Sequence, residues 1–470
     1  MKDNRFGAAY AAWKAGSTLR ERRRRYKRFT YGDQWGDVVL TPRGEHKTEE
    51  ALALESGKRP LTNNMIRQLV KSVVGRFRYR VARGDDRVAG VDEETASRNL
   101  LDELDSRMLE EFLISGCAVQ RVVSERRMQG DGVWVDNVSP DRFFVNRFSD
   151  PRSGDIELVG MLHDMSLREV MMRYGHGALS AEEIERIYRR DSVREGSVAA
   201  GVSLGEAAES DFFAPGDASR CRVIEVWTLE ARAIAVCSDP ETGQGFTVAA
   251  GDAGRLERIN CRRGRLGLRP IRVNRRMTAR WHCTCYTPGA TVLYEGDSPW
   301  GHGMHPFVVK FFPMTDGEVH SFVEDVIDQQ RYVNRLITLI DHIMSSSAKG
   351  ALLFPIESFV EELGWDAVVR NWSNPDGIIP YYGNGGLKPE QLTPKSGTAG
   401  AGDLLALEMK MMEQISGVSG ALQGQMPTSV TSATTYNNSI ENASIALLDI
   451  FETFRSFRDA RNRLIAGVRG

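Results

Sequence analysis

No uninterrupted apolar stretch in this chain approaches the roughly 20 residues that a membrane-spanning helix needs, and the mean hydropathy is −0.35. No membrane partner is expected. The start of the chain, with arginine at every position from 22 to 25, has no apolar core of a secretory signal. Cysteine is scarce: Cys117, Cys221, Cys237, Cys261, Cys283 and Cys285 are all there are in 470 residues. They are too few and too unevenly spaced for a disulfide scaffold, so a reducing compartment is expected. No G-x-x-x-x-G-K-[ST] loop occurs, which argues against an ATP-driven motor. An excess of charge of one sign is also missing. The net charge of −2, with 26% charged residues, rules out a wholly basic nucleic-acid coat, so any such role must rest on local patches. His282-Cys283-Thr284-Cys285 has two cysteines on one strand face, but no second Cys/His cluster completes a tetrahedral set. His302 and His305 stand in a turn without a partnered nucleophile or base. We therefore expect no catalytic residue, metal or cofactor.

What is present is organised around residues 306–355. A short apolar run, Phe307 to Phe312, ends at Pro313 and the turn Thr315-Asp316-Gly317. Apolar residues then recur at helical spacing from Phe322 to Met344. Glu318, Glu324, Asp325 and Asp328 load the N-terminal half, the sign favoured at a helix start. The spacing predicts a strand, a turn, a helix over 318–345 and a further strand over 351–355. At this length two or more subdomains of an α+β protein are expected.

Before this stretch, a basic helix is predicted over 8–28, with the Arg run read as a solvated or partner-facing surface. Leu61-Thr62-Asn63-Asn64 caps a helix from Met65 to Phe77, and a second helix is expected over 93–114. Ser166 and Ser180 begin two more. Val223–Trp227 and Ala233–Val236 read as paired strands, and a hairpin is expected around Pro288-Gly289. After 355, helix and turn are predicted over 357–372, and helices over 403–415 and 434–466.

Two segments are chemically distinctive. Arg262, Arg263, Arg265, Arg269, Arg272, Arg275 and Arg276, followed by Arg280, crowd one short segment. Clustered arginine suits phosphate or carboxylate recognition, or equally an acidic protein surface or neighbouring subunit. From Gln414 to Ile440, conversely, there is no charged side chain. A loop that lets a polyanion slide past avoids lysine and arginine, because each neutralised phosphate adds salt-sensitive drag.

The order of these features resembles the portal (head-to-tail connector) proteins of tailed double-stranded DNA phages, of the short-tailed type. The residues that carry the resemblance are Tyr31-Gly32-Asp33-Gln34-Trp35, Ser139-Pro140-Asp141-Arg142-Phe143-Phe144-Val145, Phe307 to Asn334 with its core Gln329-Gln330-Arg331-Tyr332-Val333-Asn334, Ile415-Ser416-Gly417-Val418-Ser419-Gly420, and Gln423-Gly424-Gln425. The resemblance implies a multi-domain portal fold of wing, stem, clip and small crown, assembled as a homo-oligomeric ring of twelve at one capsid vertex of the virion after assembly in the host cytoplasm. The ring would be a channel for packaging, retaining and ejecting double-stranded DNA. It would also be a platform for the terminase large subunit, head-completion or adaptor proteins, tail proteins, and capsid and scaffolding proteins. By position, 1–220 would be an N-terminal arm and wing, 221–316 the clip, 317–350 the stem helix, 351–402 more wing, and 403–470 a helix, tunnel loop and crown helix. Gly417, Gly420, Gln423, Gly424, Gln425, Thr428 and Thr431 would line the tunnel loop. Glu318, Glu324, Asp325 and Asp328 would face the channel, and the arginines 262–276 would serve the clip or a partner. The competing readings are a nucleic-acid-binding enzyme and another ring adaptor of the head–tail junction.

Overall fold

A computed structural model describes residues 4–84, 89–128, 130–177, 179–195, 211–217, 219–249, 253–347, 351–356, 359–360, 364–373, 378–383, 388–392, 398–418, 420 and 445–469. The elements run α1 (Asn4–Ala15), α2 (Ser17–Tyr31), β1 (Val38–Leu40), β2 (His46–Thr48), α3 (Glu49–Glu55), α4 (Met65–Arg83), α5 (Glu93–Asn99), α6 (Leu101–Ser115), β3 (Cys117–Arg127), β4 (Gly130–Asn137), β5 (Phe143–Val145), β6 (Leu158–Met165), α7 (Leu167–Tyr174) and α8 (Ala181–Glu195). They continue with β7 (Cys221–Ser238), β8 (Gly245–Ala249), α9 (Ala253–Arg265), β9 (Arg272–Tyr286), β10 (Val292–Asp297), β11 (Phe307–Phe311), β12 (Pro313–Thr315), β13 (Glu318–Val319), α10 (Ile327–Ser347), β14 (Ala351–Leu353), α11 (Trp365–Ser373), β15 (Glu390–Leu392), α12 (Thr398–Ser416) and α13 (Leu448–Arg469). The mixture is α+β. The chain divides into two compact units, one of residues 1–24, 74–321 and 448–470, the other of 25–73 and 322–447.

Besides the two-stranded β12–β13 hairpin, the first unit holds two larger antiparallel sheets. One has the order β11-β3-β4; the other runs β10-β9-β7-β6-β5, with β8 also on β7. Alternation along the strands sorts the side chains. Val223 and Trp227 of β7, with Cys283 and Cys285 of β9, join Val119, Phe307 and Val309 of the smaller sheet in one core. Ile224, Val226 and Tyr286, one residue out of phase, point the other way and pack with Ala9 and Trp13 of α1. Strands over 143–165 and 221–297 thus share a sheet, so position 220/221 is no break in the architecture.

Val223–Trp227 and Ala233–Val236, expected as two paired strands, are one 18-residue strand. Every residue from Ile224 to Ser238 faces β9, from Tyr286 back to Arg272, and Thr228–Arg232 contains no glycine or proline to turn the chain. The hairpin at Pro288-Gly289 is as expected, with Val292 opposite Tyr286. The helix expected over 93–114 is broken at Leu100, whose φ is 49°. Gly116 ends α6 at φ 70°, where an added Cβ would sit 2.5 Å from the His320 carbonyl oxygen, so only glycine fits. The basic helix divides at Gly16 into α1 and α2. Its arginine run is not all a free surface: Arg22 is exposed, but Arg23 is buried against Glu111 and Asp141.

In the second unit α10 and α12 pack side by side. β14 follows α10, β15 precedes α12, and the two strands pair. The other end of α12 meets the 3-10 turn Glu324–Val326 that leads into α10. The chain therefore runs out along α10 and returns along α12. The helix predicted from 318 starts only at 327. Glu318 and Val319 are instead held in the β12–β13 hairpin, and the His320 N–H donates to the Phe312 carbonyl. In the segment expected as helix and turn over 357–372, helix begins at Trp365, and the helix expected over 403–415 extends from 398.

Candidate functional site

α10 carries a polar stripe, Gln330, Asn334 and Thr338, at four-residue spacing on one buried face. The Gln330 side-chain oxygen accepts from the N–H groups of Met65 (2.9 Å) and Ile66 (3.2 Å), and its amide nitrogen donates to the Asn63 carbonyl at 2.7 Å. Asn334 accepts from the Asn63 N–H (3.1 Å) and donates to Gln34 Oε1 (2.6 Å). The Thr338 hydroxyl accepts from the Leu61 N–H at 3.0 Å. Asn64, the N-cap of α4, accepts from the Arg67 N–H (3.0 Å) and from Gln34 (3.1 Å). Three segments singled out by sequence, 31–35, 61–64 and 329–334, thus meet in one amide network. It satisfies the orphan N–H groups at the start of α4 and fixes α10 along its length.

Of the acidic set, Glu318 lies in the first unit beside His320 at 3.1 Å. Glu324 and Asp325 lie on the 3-10 turn of the second unit, and Asp328 on the first turn of α10, 3.7 Å from Arg331. The four do not share one helix. Sequence reading missed Arg331 and Arg335, which both pair with the buried carboxylate of Glu49, the latter at 2.9 Å. Their four-residue spacing was the available signal.

Apolar side chains also line the outside of this helix pair. Tyr332, Leu339 and Met344 on α10, and Leu407, Met411 and Ile415 on α12, are exposed. The charge-free loop leaves from the end of α12 that meets the 3-10 turn. Gly417 has φ 67°, and an added Cβ there would approach Ala446 Cβ to 2.7 Å, so the chain at Gly417 lies against Ala446. Gly420 is described; Gln423, Gly424, Gln425, Thr428 and Thr431 lie outside the described residues.

The arginine segment forms the end of α9 and the start of β9. Arg263 makes a fork with Asp239, at 2.6 and 2.7 Å. Arg262, Arg265, Arg269, Arg272, Arg275 and Arg276 are exposed and make no ion pair among the described residues.

Elsewhere in the first unit, a cleft of about 1280 Å³ is lined by Arg121, His163, Glu225, Trp227 and Trp300, among others. The Cys283 and Cys285 side chains belong to the core, whereas His282 points the other way, 2.8 Å from Asp297 and 3.0 Å from Glu295. No group of three potential metal ligands occurs among the described residues.

His305 is buried with its ring edge-on to Trp281 and its Nδ1 accepting from the Phe307 N–H at 3.2 Å. Burial pushes its pKa down to about 4, and His302 acts in the same direction. The unfolded imidazole takes up its proton near 6.5, so acidification from 6.5 to 4 favours the unfolded chain, by about 3 kcal/mol at the lower limit. His305→Asn, which keeps an acceptor for Phe307, is expected to flatten that part of the stability–pH curve in urea titrations. An unchanged slope would refute this assignment.

No individually curated protein matches the chain. The family model for Phage P22-like portal protein matches residues 6–466, in agreement with the resemblance carried by the 31–35, 139–145, 307–334 and 415–425 segments. The chain belongs to the phage P22-like portal protein family.

Proposed function

We propose that this portal protein assembles as a closed ring of twelve subunits around a channel through which double-stranded DNA is packaged, retained and ejected. In this reading α10 and α12 form the stem, and the loop from Gly417 to Thr431, within the charge-free stretch 414–440, surrounds the DNA as a steric collar without phosphate affinity. The clip is the excursion between the two stem helices, which contains β14, α11 and β15. Residues 221–316, which continue the sheet of 143–165, belong with the wing. The ring serves as a platform at the capsid vertex for the terminase large subunit and later for head-completion and tail proteins.

The observation that carries the ring is the exposed apolar surface of the stem pair. Met344 is 62% exposed and Leu407 52% exposed, on helices whose polar stripe is already consumed internally. A heterologous contact, repeated around a closed ring, would bury such a surface in every subunit. The wild type is expected to sediment as a ring and to show a central hole in negative stain. Met344→Asp with Leu407→Asp is expected to leave monomers of native circular dichroism. A wild type that stays monomeric at micromolar concentration across a range of salt overturns the proposal, as does a double variant that still forms rings.

A further inference from the structure

We propose that the arm formed by the far half of β7, β8, α9 and the start of β9 is a binding surface for the phosphate backbone of duplex DNA. It is separate from the charge-free loop and independent of the ring reading. The arm has its own small core, Ala235, Cys237, Leu256 and Ile271, with Val248 packed against it. It is braced from within as well. Asn260 donates to the Ile271 carbonyl (3.1 Å) and accepts from its N–H (2.8 Å), while Arg263 is committed to Asp239 and to the Arg269 carbonyl. The remaining arginines are thus held on a fixed frame.

Their charge is uncompensated. Residues 253–280 contain ten arginines, one glutamate and no lysine, a net +9; since the chain sums to −2, the rest carries −11. Elsewhere in this unit several exposed arginines have carboxylate partners: Arg126 with Asp131, Arg152 with Asp150, Arg189 with Glu185. On the arm, Arg255, Arg262, Arg265, Arg272, Arg275 and Arg276 have none among the described residues and are exposed. Gathering like charges costs self-repulsion, which a polyanion would relieve.

The side-chain chemistry narrows the partner. Arginine forks match phosphate oxygens in pairs. The arginine-bearing residues 253–280 include no Phe, Tyr or Trp. Phe246 of β8 is a lone exposed ring on the arm among the described residues, too little for a stacking platform, which disfavours single strands and base reading. Arg272 and Arg276 share one face of β9, roughly 13 Å apart at about 3.3 Å per residue. Charges do guard open strand edges against edge-to-edge pairing, and this stretch of β9 is such an edge. That role does not account for the arginines of α9. An acidic remainder would repel DNA and leave the arm as the point of approach.

The test is fluorescence anisotropy with the full-length protein and a labelled 20-base-pair duplex, from 50 to 200 mM NaCl. Binding is expected to be indifferent to sequence and to fall about a thousandfold over that range if six phosphates are engaged. Arg272→Ala/Arg275→Ala/Arg276→Ala is expected to weaken binding and to flatten the log–log salt slope by about 2 to 3. Arg126→Ala/Arg152→Ala/Arg189→Ala, the same formal charge change at paired positions, is expected to leave the slope unaltered. Four results would each overturn the proposal. They are no binding at 50 mM salt (an edge guard only), equal slopes for wild type and arm variant, equal loss in the control variant, and displacement of the duplex by polyglutamate of matched charge at equal concentration (a surface for acidic protein).

Discussion

Asp105→Ala is expected to cost the fold about 3–5 kcal/mol, the penalty for leaving buried charge without its partner. Asp105 of α6 is 1% exposed. Its two oxygens separately receive Arg458 Nε at 2.9 Å and Arg461 Nη1, both from α13 and both buried. The pairing tethers the last helix to a segment more than three hundred residues earlier in the chain. Around it Phe454 meets Phe77 and Phe112 edge-on or tilted, with ring centres 5.5 and 5.9 Å apart. The aromatic packing supplies burial; the carboxylate fixes which turn of α13 faces α6. Removing it strands two guanidiniums in a site that water does not reach. The decisive comparison is a triple variant, Asp105→Leu with Arg458→Met and Arg461→Met, in which no charge is left behind. Urea unfolding should show the triple variant losing less than the single one. If the single variant loses under 1 kcal/mol, the cluster is solvated and the tether is not electrostatic.

What the sequence made legible was local. Asn64, Ser166 and Ser180 announced helix starts, and each side chain accepts from the N–H three residues on. Ser180 and Glu183 complete a capping box, since Glu183 also accepts from the Ser180 N–H at 2.8 Å. The Pro288-Gly289 turn announced its hairpin for the same reason: the signal and the structure lie within a few residues. The misreadings concern partners distant in sequence. The gap between Val223–Trp227 and Ala233–Val236 looked like a turn because Arg232 and Glu230 interrupt an apolar pattern. Those two side chains pair with each other at 3.0 Å on one face of a strand that β9 keeps straight. The helix from 318 failed because Glu318 and Val319 satisfy their backbone in a hairpin, which overrides helical spacing when the tertiary partner is already formed. Arg23, in the Arg22–Arg25 run, looked exposed because Glu111 and Asp141 are far away in sequence. The amide network on α10 was half legible: its segments drew notice, but nothing local tied Gln34 to Asn334. The portal reading depended on the order of weak segments, and that order survives such local errors.

Glu225 is the second residue whose loss should be severe. It sits on β7 between Val223 and Trp227, on the face turned to the core, and is 4% exposed. Burial by itself would lift its pKa. The Arg121 guanidinium at 3.2 Å, the His163 ring nitrogen at 2.6 Å and the Trp227 indole N–H at 2.7 Å more than offset that, and hold the carboxyl well below the usual range. Glu225→Ala should therefore cost about 3–5 kcal/mol, because Arg121, itself buried, loses its counter-charge. Glu225→Gln separates shape from charge: it can still accept from Trp227 but cannot neutralise Arg121, so most of the loss should remain. The pH dependence has a definite sign. A carboxyl whose folded pKa is depressed contributes its full stability above the unfolded value, about 4.3, and loses it as pH falls further towards the folded value. Wild-type stability should thus drop below pH 4.3, beneath the window in which His305 acts, and Glu225→Gln should be flatter there. Urea titrations at pH 7, 4.5 and 3 measure both effects. If the two proteins lose stability in parallel from 4.5 to 3, the Glu225 carboxylate is not the group that acid attacks. The packing of the two sheets that brings β3 together with the paired β6 and β7 at this cleft would then stand without its ionic centre.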